Sequence, residues 1–111
     1  MKGKRAALYC RVDRGGGQEM RREALTVQRK RLEEYAKENR IQISGYYEDD
    51  GFPGHDPERP GLRRLTEAYH AGTFDLLLVV SRSRLYRGNR WNEPVWPFPV
   101  LSASRLENTA F

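Results

Sequence analysis

The chain has one cysteine, two histidines and no long hydrophobic run; its most apolar stretch, Leu76–Val80, is five residues long. A single cysteine excludes an internal disulfide framework. With only His55 and His70 to join it, a Cys/His zinc site is excluded as well. Nothing approaches the roughly 20 apolar residues that span a bilayer. The opening Met1-Lys-Gly-Lys-Arg5 is basic, but no apolar segment of signal-peptide length follows it, so no signal peptide is expected. Acidic residues are also in deficit, with 15 Asp and Glu against 20 Lys and Arg, a formal net charge of +5. The expectation is one small cytoplasmic domain, basic and with a modest core, because domains most often run to about 100–150 residues.

The charge is unevenly distributed. Residues 1–40 carry 12 basic and 6 acidic side chains, residues 41–75 carry 3 and 7, and residues 76–111 carry 5 and 2. Two basic blocks flank an acidic middle. If the fold brings the outer blocks together, the resulting positive face favours a polyanion such as nucleic acid.

Residues 6–12 are short, apolar and compatible with a strand that stops at Asp13-Arg-Gly-Gly-Gly17, read as a mobile loop. No Gly-Lys-Ser/Thr follows these glycines, so they are not a phosphate-binding P-loop. From about Glu23 to Asn39, Leu25, Gln28, Leu32, Tyr35 and Ala36 recur at helical spacing. Residues 41–47 read as a second strand, which runs into a turn-rich stretch from Glu48 to Pro57. Within it, Glu48, Asp49 and Asp50 read as a solvated acidic turn. Pro60 suits the first turn of a second helix with Leu62, Leu65, Ala68 and Tyr69 on its apolar face, and Gly72 suits its end.

Residues 74–80 form a continuous apolar run, as in a strand buried on both faces of a parallel sheet. The order β-α-β-α-β implies an α/β layer fold with right-handed crossovers. Residues 91–99 hold three prolines in six positions, which excludes a regular helix, and 91–111 is expected to be an irregular proline-aromatic tail.

In such folds the chemistry collects at the carboxyl ends of the strands. Asp13, Asp50 and the segment Ser81–Arg87 all fall there and should converge on one rim. If a helix begins after the third strand, Arg84 and Arg87 share a face beside its N-terminus. Arg11 and Arg59 can reach the same rim, and four guanidinium groups suit a phosphodiester on which charge accumulates. Cys10 reads as a small core residue, and His55 and His70 as surface residues.

Five blocks then occur in order. They are Tyr9-Cys-Arg-Val12, Leu25-Thr-Val-Gln-Arg29 with Leu32-Glu-Glu-Tyr-Ala36, Tyr47-Glu-Asp-Asp-Gly-Phe-Pro-Gly54, Glu58-Arg-Pro-Gly-Leu62, and residues 74–80 followed by Ser83-Arg-Leu-Tyr-Arg87. Together, over about residues 6–90, they resemble the catalytic domain of the serine recombinases, the resolvase/invertase family. The resemblance implies a three-layer resolvase-like α/β domain with a mostly parallel sheet, incomplete at its C-terminal side. It also implies DNA strand exchange without a metal or cofactor, in which a serine hydroxyl attacks a phosphodiester to give a 5′-phosphoseryl intermediate. By motif match, Arg11, Arg59, Arg84 and Arg87 correspond to phosphate-handling arginines. Gln28, Asp50 and Ser83 correspond to further polar positions of the active site. DNA is the implied partner, with a homo-oligomer or a full-length recombinase beside it, and no membrane.

One position departs from that pattern. The family reads Tyr-x-Arg-Val-Ser, and this chain has Asp13 where the serine belongs. A carboxylate beside a phosphodiester adds like-charge repulsion, and its adduct would be a hydrolysis-prone acyl phosphate. Asp13 is expected to pair with Arg11, Arg84 or Arg87 and occupy the anion site from within. The chain is therefore read as a recombinase-type domain that does not cleave or join DNA. The alternative is a non-catalytic module that binds phosphate or DNA, or regulates a recombinase.

Overall fold

Alternation along the first strand divides the molecule into its layers. The computed structural model describes residues 4–104. In β1 (Arg5–Val12) the even-numbered residues Ala6, Leu8, Cys10 and Val12 face one side of the sheet, and Ala7 and Tyr9 face the other. The even face packs on Leu25, Leu32 and Ala36 of α1 (Gln18–Glu38). The odd face packs on Leu62 and Leu65 of α2 (Pro60–His70). Successive strand residues point to opposite faces, so one short strand supplies two cores.

The remaining strands are β2 (Gln42–Asp50), β3 (Leu76–Val79) and β4 (Val100–Ser102). All pairings are parallel, in the order β2-β1-β3-β4. Helices on both faces of a parallel sheet make the expected three-layer α/β fold. β3 is buried along its whole length, as its unbroken apolar sequence requires. The β1–β2 register shifts between Ala6 and Ala7: Ala6 pairs with Ile43 but Ala7 with Gly45, leaving Ser44 as a bulge. The Ser44 hydroxyl donates to the Ala6 carbonyl at 3.2 Å.

Three boundaries differ from the sequence expectation. Helix α1 begins at Gln18, five residues before Glu23, capped by Gly17 without a side-chain hydrogen bond. β2 continues through Asp50, so Glu48, Asp49 and Asp50 lie in a strand and not in a turn. The segment after residue 90, expected to be irregular throughout, contributes β4. Leu77 N–H donates to the Pro99 carbonyl at 2.9 Å, and Ala103 N–H to the Val79 carbonyl at 2.8 Å. Phe98 is buried in the odd-face core, stacked 6.0 Å from Trp96 and edge-on to Tyr69 at 5.7 Å. Residues 105–111 lie outside the described part of the chain.

Candidate active site

β1 and β3 are neighbours, but the chain leaves them in opposite directions: α1 follows β1 over the even face, while α3 (Arg82–Leu85) follows β3 and buries Leu85 in the odd-face core. Such a divergence opens a crevice at the carboxyl ends of the strands. Arg11, the penultimate residue of β1, enters it with its side chain fully buried. Its guanidinium donates to three main-chain carbonyls: Arg84 at 2.9 Å from Nε, Phe52 at 2.9 Å from Nη1 and Ser83 at 2.9 Å from Nη2. Nη1 also makes an ion pair with Asp13, whose own side chain is 51% exposed.

Arg59, which caps the N-terminus of α2, is buried beside Arg11. Its Nη1 donates to the Tyr9 hydroxyl at 3.1 Å and the Arg84 carbonyl at 3.2 Å, and Nη2 donates to the Leu85 carbonyl. Burial, and secondarily the charge of Arg11, lowers the Arg59 pKa from its ordinary value. Burial likewise raises the Tyr9 pKa, keeping the phenol protonated so that it donates to Asp49 at 2.7 Å.

Asp49 is only 2% exposed. Its carboxylate accepts from Gly61 N–H at 2.7 Å and Leu62 N–H at 3.0 Å, besides the Tyr9 hydroxyl. It thus satisfies two of the first N–H groups of α2, which Arg59 leaves without a side-chain cap. Gly61 is required there, because a Cβ would strike the Glu48 carbonyl and lie 2.8 Å from Asp49 Oδ2. By composition Asp49 belongs to a solvated acidic turn, whereas it lies buried in β2. The signal that could have found it is the Arg-Pro-Gly motif, which starts a helix with no polar side chain of its own to cap it.

The other sequence-derived positions lie around this pair of arginines. Gln28, on α1, donates from Nε2 to the Arg11 carbonyl at 3.0 Å and accepts from the Arg11 N–H at 3.2 Å. It takes the place of a strand partner where β3 has stopped pairing, since the β1–β3 ladder ends at Leu8 with Leu78. Arg84 Nη1 donates to the same Arg11 carbonyl at 3.3 Å. The Ser83 hydroxyl sits 2.8 Å from that of Ser81. Asp50 is the last residue of β2, and its carboxylate binds Arg21 Nε at 2.8 Å.

Arg87 does not share a helical face with Arg84, because α3 ends at Leu85 and Tyr86 is extended. It reaches the site through its backbone, donating to the Gly54 carbonyl at 3.1 Å. Gly54 packs so tightly that a Cβ would lie 2.7 Å from Arg87 Cβ and 2.8 Å from Arg11 Nη2. Contacts thus join Asp13, Gln28, Ser83, Arg84 and, through Gly54, Arg87 to the buried pair Arg11 and Arg59, whereas the Asp50 carboxylate is engaged by Arg21 of α1; Arg11 and Arg59 themselves are held by main-chain carbonyls. Cys10 lies against α1, where burial pushes its thiol up to about 12. His55 and His70 are exposed. Among the described residues no group of three or more His, Cys, Asp or Glu is placed to hold a metal, and no helix is long and apolar enough to cross a membrane.

This architecture is that of serine-recombinase catalytic domains. The chain is similar to the N-terminal catalytic domain of TP901-1 integrase, with 35% identity and a TM-score of 0.65 over 80% of this chain and 63% of that one. It is similar to a resolvase family site-specific recombinase from Streptococcus pneumoniae, with 28% identity and a TM-score of 0.63 over 77% and 58%. It also shares the fold of the catalytic domain of ISC1926 TnpA, an IS607-like serine recombinase, with 22% identity and a TM-score of 0.72 over 88% and 69%. The chain thus spans somewhat under two thirds of the first of these structures. No curated protein matches it. The model of the resolvase N-terminal domain matches residues 6–90, and the chain belongs to that family.

Proposed function

We propose that this chain is a DNA-binding domain of the serine-recombinase type that holds a phosphodiester at the carboxyl ends of β1 and β3 without forming a covalent bond to it. The single observation that carries this reading is the ion pair of Asp13 with buried Arg11, at the position where the motif has serine. The carboxylate neutralises the guanidinium that would otherwise meet a phosphate, and a half-exposed anion at the mouth repels an incoming phosphodiester. An aspartyl adduct would be an acyl phosphate open to hydrolysis, whereas a seryl ester would persist for religation. Arg84 and Arg87 form the cationic rim, while Arg11 and Arg59 hold that rim in place. DNA is the partner on this reading, alongside a second copy or a full-length recombinase, and the setting is cytoplasmic.

The test is incubation of the chain and its Asp13→Ser variant with supercoiled plasmid, followed by assay for nicking and for protein bound covalently to DNA. The original chain is expected to yield neither product. Adducts formed only by Asp13→Ser would assign the missing step to position 13. An adduct formed by the original chain and lost on Asp13→Ala would overturn the reading. A purely regulatory role is the second reading, favoured by exposed apolar residues such as Val95, which is 97% exposed. Co-purification with an intact recombinase, in the absence of salt-sensitive DNA retention, would select it.

A further inference from the structure

Beyond α3 lies an open depression of about 490 Å³ whose lining includes Arg82, Ser83, Tyr86, Arg87, Arg90 and Glu93. Three cations face one acid, and the Glu93 carboxylate is already engaged, accepting from the Trp96 indole N–H at 2.8 Å. Arg82 is anchored to the β4 end of the molecule by a 3.2 Å bond from Nη2 to the Val100 carbonyl. Arg87 and Arg90 are exposed and make no ion pair among the described residues.

Next to Arg90 stands Trp91, 93% exposed. Its backbone is fixed: residues 90–92 form a 3₁₀ turn in which the Asn89 side chain accepts from Trp91 N–H at 2.9 Å. The Tyr86 hydroxyl in turn donates to the Asn89 carbonyl at 3.2 Å. The other aromatic side chains of this segment, Trp96 and Phe98, pack on the odd-face core and shield one another. Trp91 alone turns its ring to solvent, on a pinned turn beside a cationic basin.

Cations that track a phosphate backbone, next to an aromatic face that accepts a base of any sequence, are the two components of single-strand recognition. We propose that the Arg82–Arg87–Arg90 basin and Trp91 form a subsite for an unpaired DNA strand, with phosphates in the basin and a base stacked on Trp91. The subsite rests on the DNA reading above, since it shares Ser83 and Arg87 with the strand-end crevice. It adds a distinct ligand state, an unstacked strand leaving that crevice.

The test measures binding of the full chain to a fluorescently labelled oligothymidylate and, separately, to a duplex, by anisotropy. Loss of one base–aromatic stack is worth about 1–3 kcal/mol, so Trp91→Ala should weaken oligothymidylate binding about 5- to 150-fold. Duplex affinity should stay within about twofold, and Trp91→Phe should restore single-strand binding. Arg90→Ala should flatten the salt dependence of single-strand binding by about 0.7 in log–log slope, one counterion fewer. Equal single-strand affinity for the chain and Trp91→Ala would overturn the subsite while leaving the duplex reading intact. Duplex binding absent in the unaltered chain, with Trp91-dependent single-strand binding present, would overturn the phosphodiester reading and keep the subsite.

Discussion

Arg11 and Arg59 donate to one and the same oxygen, the main-chain carbonyl of Arg84, at 2.9 and 3.2 Å. Two buried cations side by side repel each other, yet α3 offers them three successive carbonyls at Ser83, Arg84 and Leu85. A short helix cannot satisfy these groups internally, and the guanidinium forks do it instead. Arg59→Lys should fail to replace this clamp, because one ammonium cannot span Tyr9 and two carbonyls. We expect a loss of about 2 kcal/mol in urea unfolding, with faster amide exchange at Arg84 and Tyr86.

Gln28 predicts a second cost. Truncation to alanine leaves the buried Arg11 N–H without an acceptor, while the Arg11 carbonyl keeps Arg84 Nη1 as its donor. An unsatisfied buried group costs about 1–3 kcal/mol, so Gln28→Ala should lower the urea midpoint accordingly with an unchanged slope. A loss below about 0.5 kcal/mol would mean that the amide does not substitute for a strand partner.

Asp49 predicts a larger one. Three donors converge on its carboxylate, two of them from the first turn of α2. Asp49→Ala should cost about 3 kcal/mol or more, since it also strands the buried Tyr9 hydroxyl. Gly61→Ala should match or exceed this loss by driving a methyl group into the Glu48 carbonyl. The two effects should not add, because both detach the same helix end. Circular dichroism melts of the two single variants and the double variant would test this.

Releasing Arg11 from Asp13 should strengthen DNA binding. Asp13→Ala leaves the buried guanidinium without its carboxylate, and one like charge is removed from the mouth of the crevice. A unit charge about 4 Å from a phosphate in water is worth ~1 kcal/mol, so duplex affinity should rise about fivefold at low salt. The gain should shrink as salt is raised.

The thiol of Cys10 gives a pH dependence. In the unfolded chain it ionises near ~8.5, but burial, with Glu48 nearby, raises this to about 12 in the folded state. Below ~8.5 the group leaves stability unchanged. Between there and about 12 only the unfolded chain releases the proton, so stability falls with rising pH by up to ~1.4 kcal/mol per unit. Cys10→Ala should lose this component. Urea midpoints of the two proteins should converge between pH 8.5 and 10.5, and parallel curves would show that the thiol is not buried.

The parts of the fold that follow a period were legible in the sequence: Leu25, Gln28, Leu32 and Ala36 on one helix, and the apolar run that became β3. The first turn of α1 was not, because Met20 is 69% exposed and Gly17 brings no capping side chain. β4 was hidden by its length of three residues and by the prolines before it, since its place comes from pairing with distant Leu77 and Val79. Arg11, Arg84 and Arg87 were legible as residue types at or just past strand ends, and Arg59 as one before the second helix. Their engagement by main-chain carbonyls was not, because those acceptors belong to α3, more than 70 residues after Arg11 and about 25 after Arg59.

The extra residue at Ser44 has a consequence for every position downstream of it in β2. By slipping the strand half a pleat, it sends Tyr47 and Asp49 toward α2, and Tyr46 toward α1, where Arg29 lies 4.0 Å over its ring. An uninterrupted strand would do the reverse, presenting Glu48 to the neighbourhood of Tyr9 and turning Asp49 toward the opposite helix. The choice of which acid holds the start of α2, and so where Arg59 stands, is made five residues upstream by a single serine acting as a phase shifter.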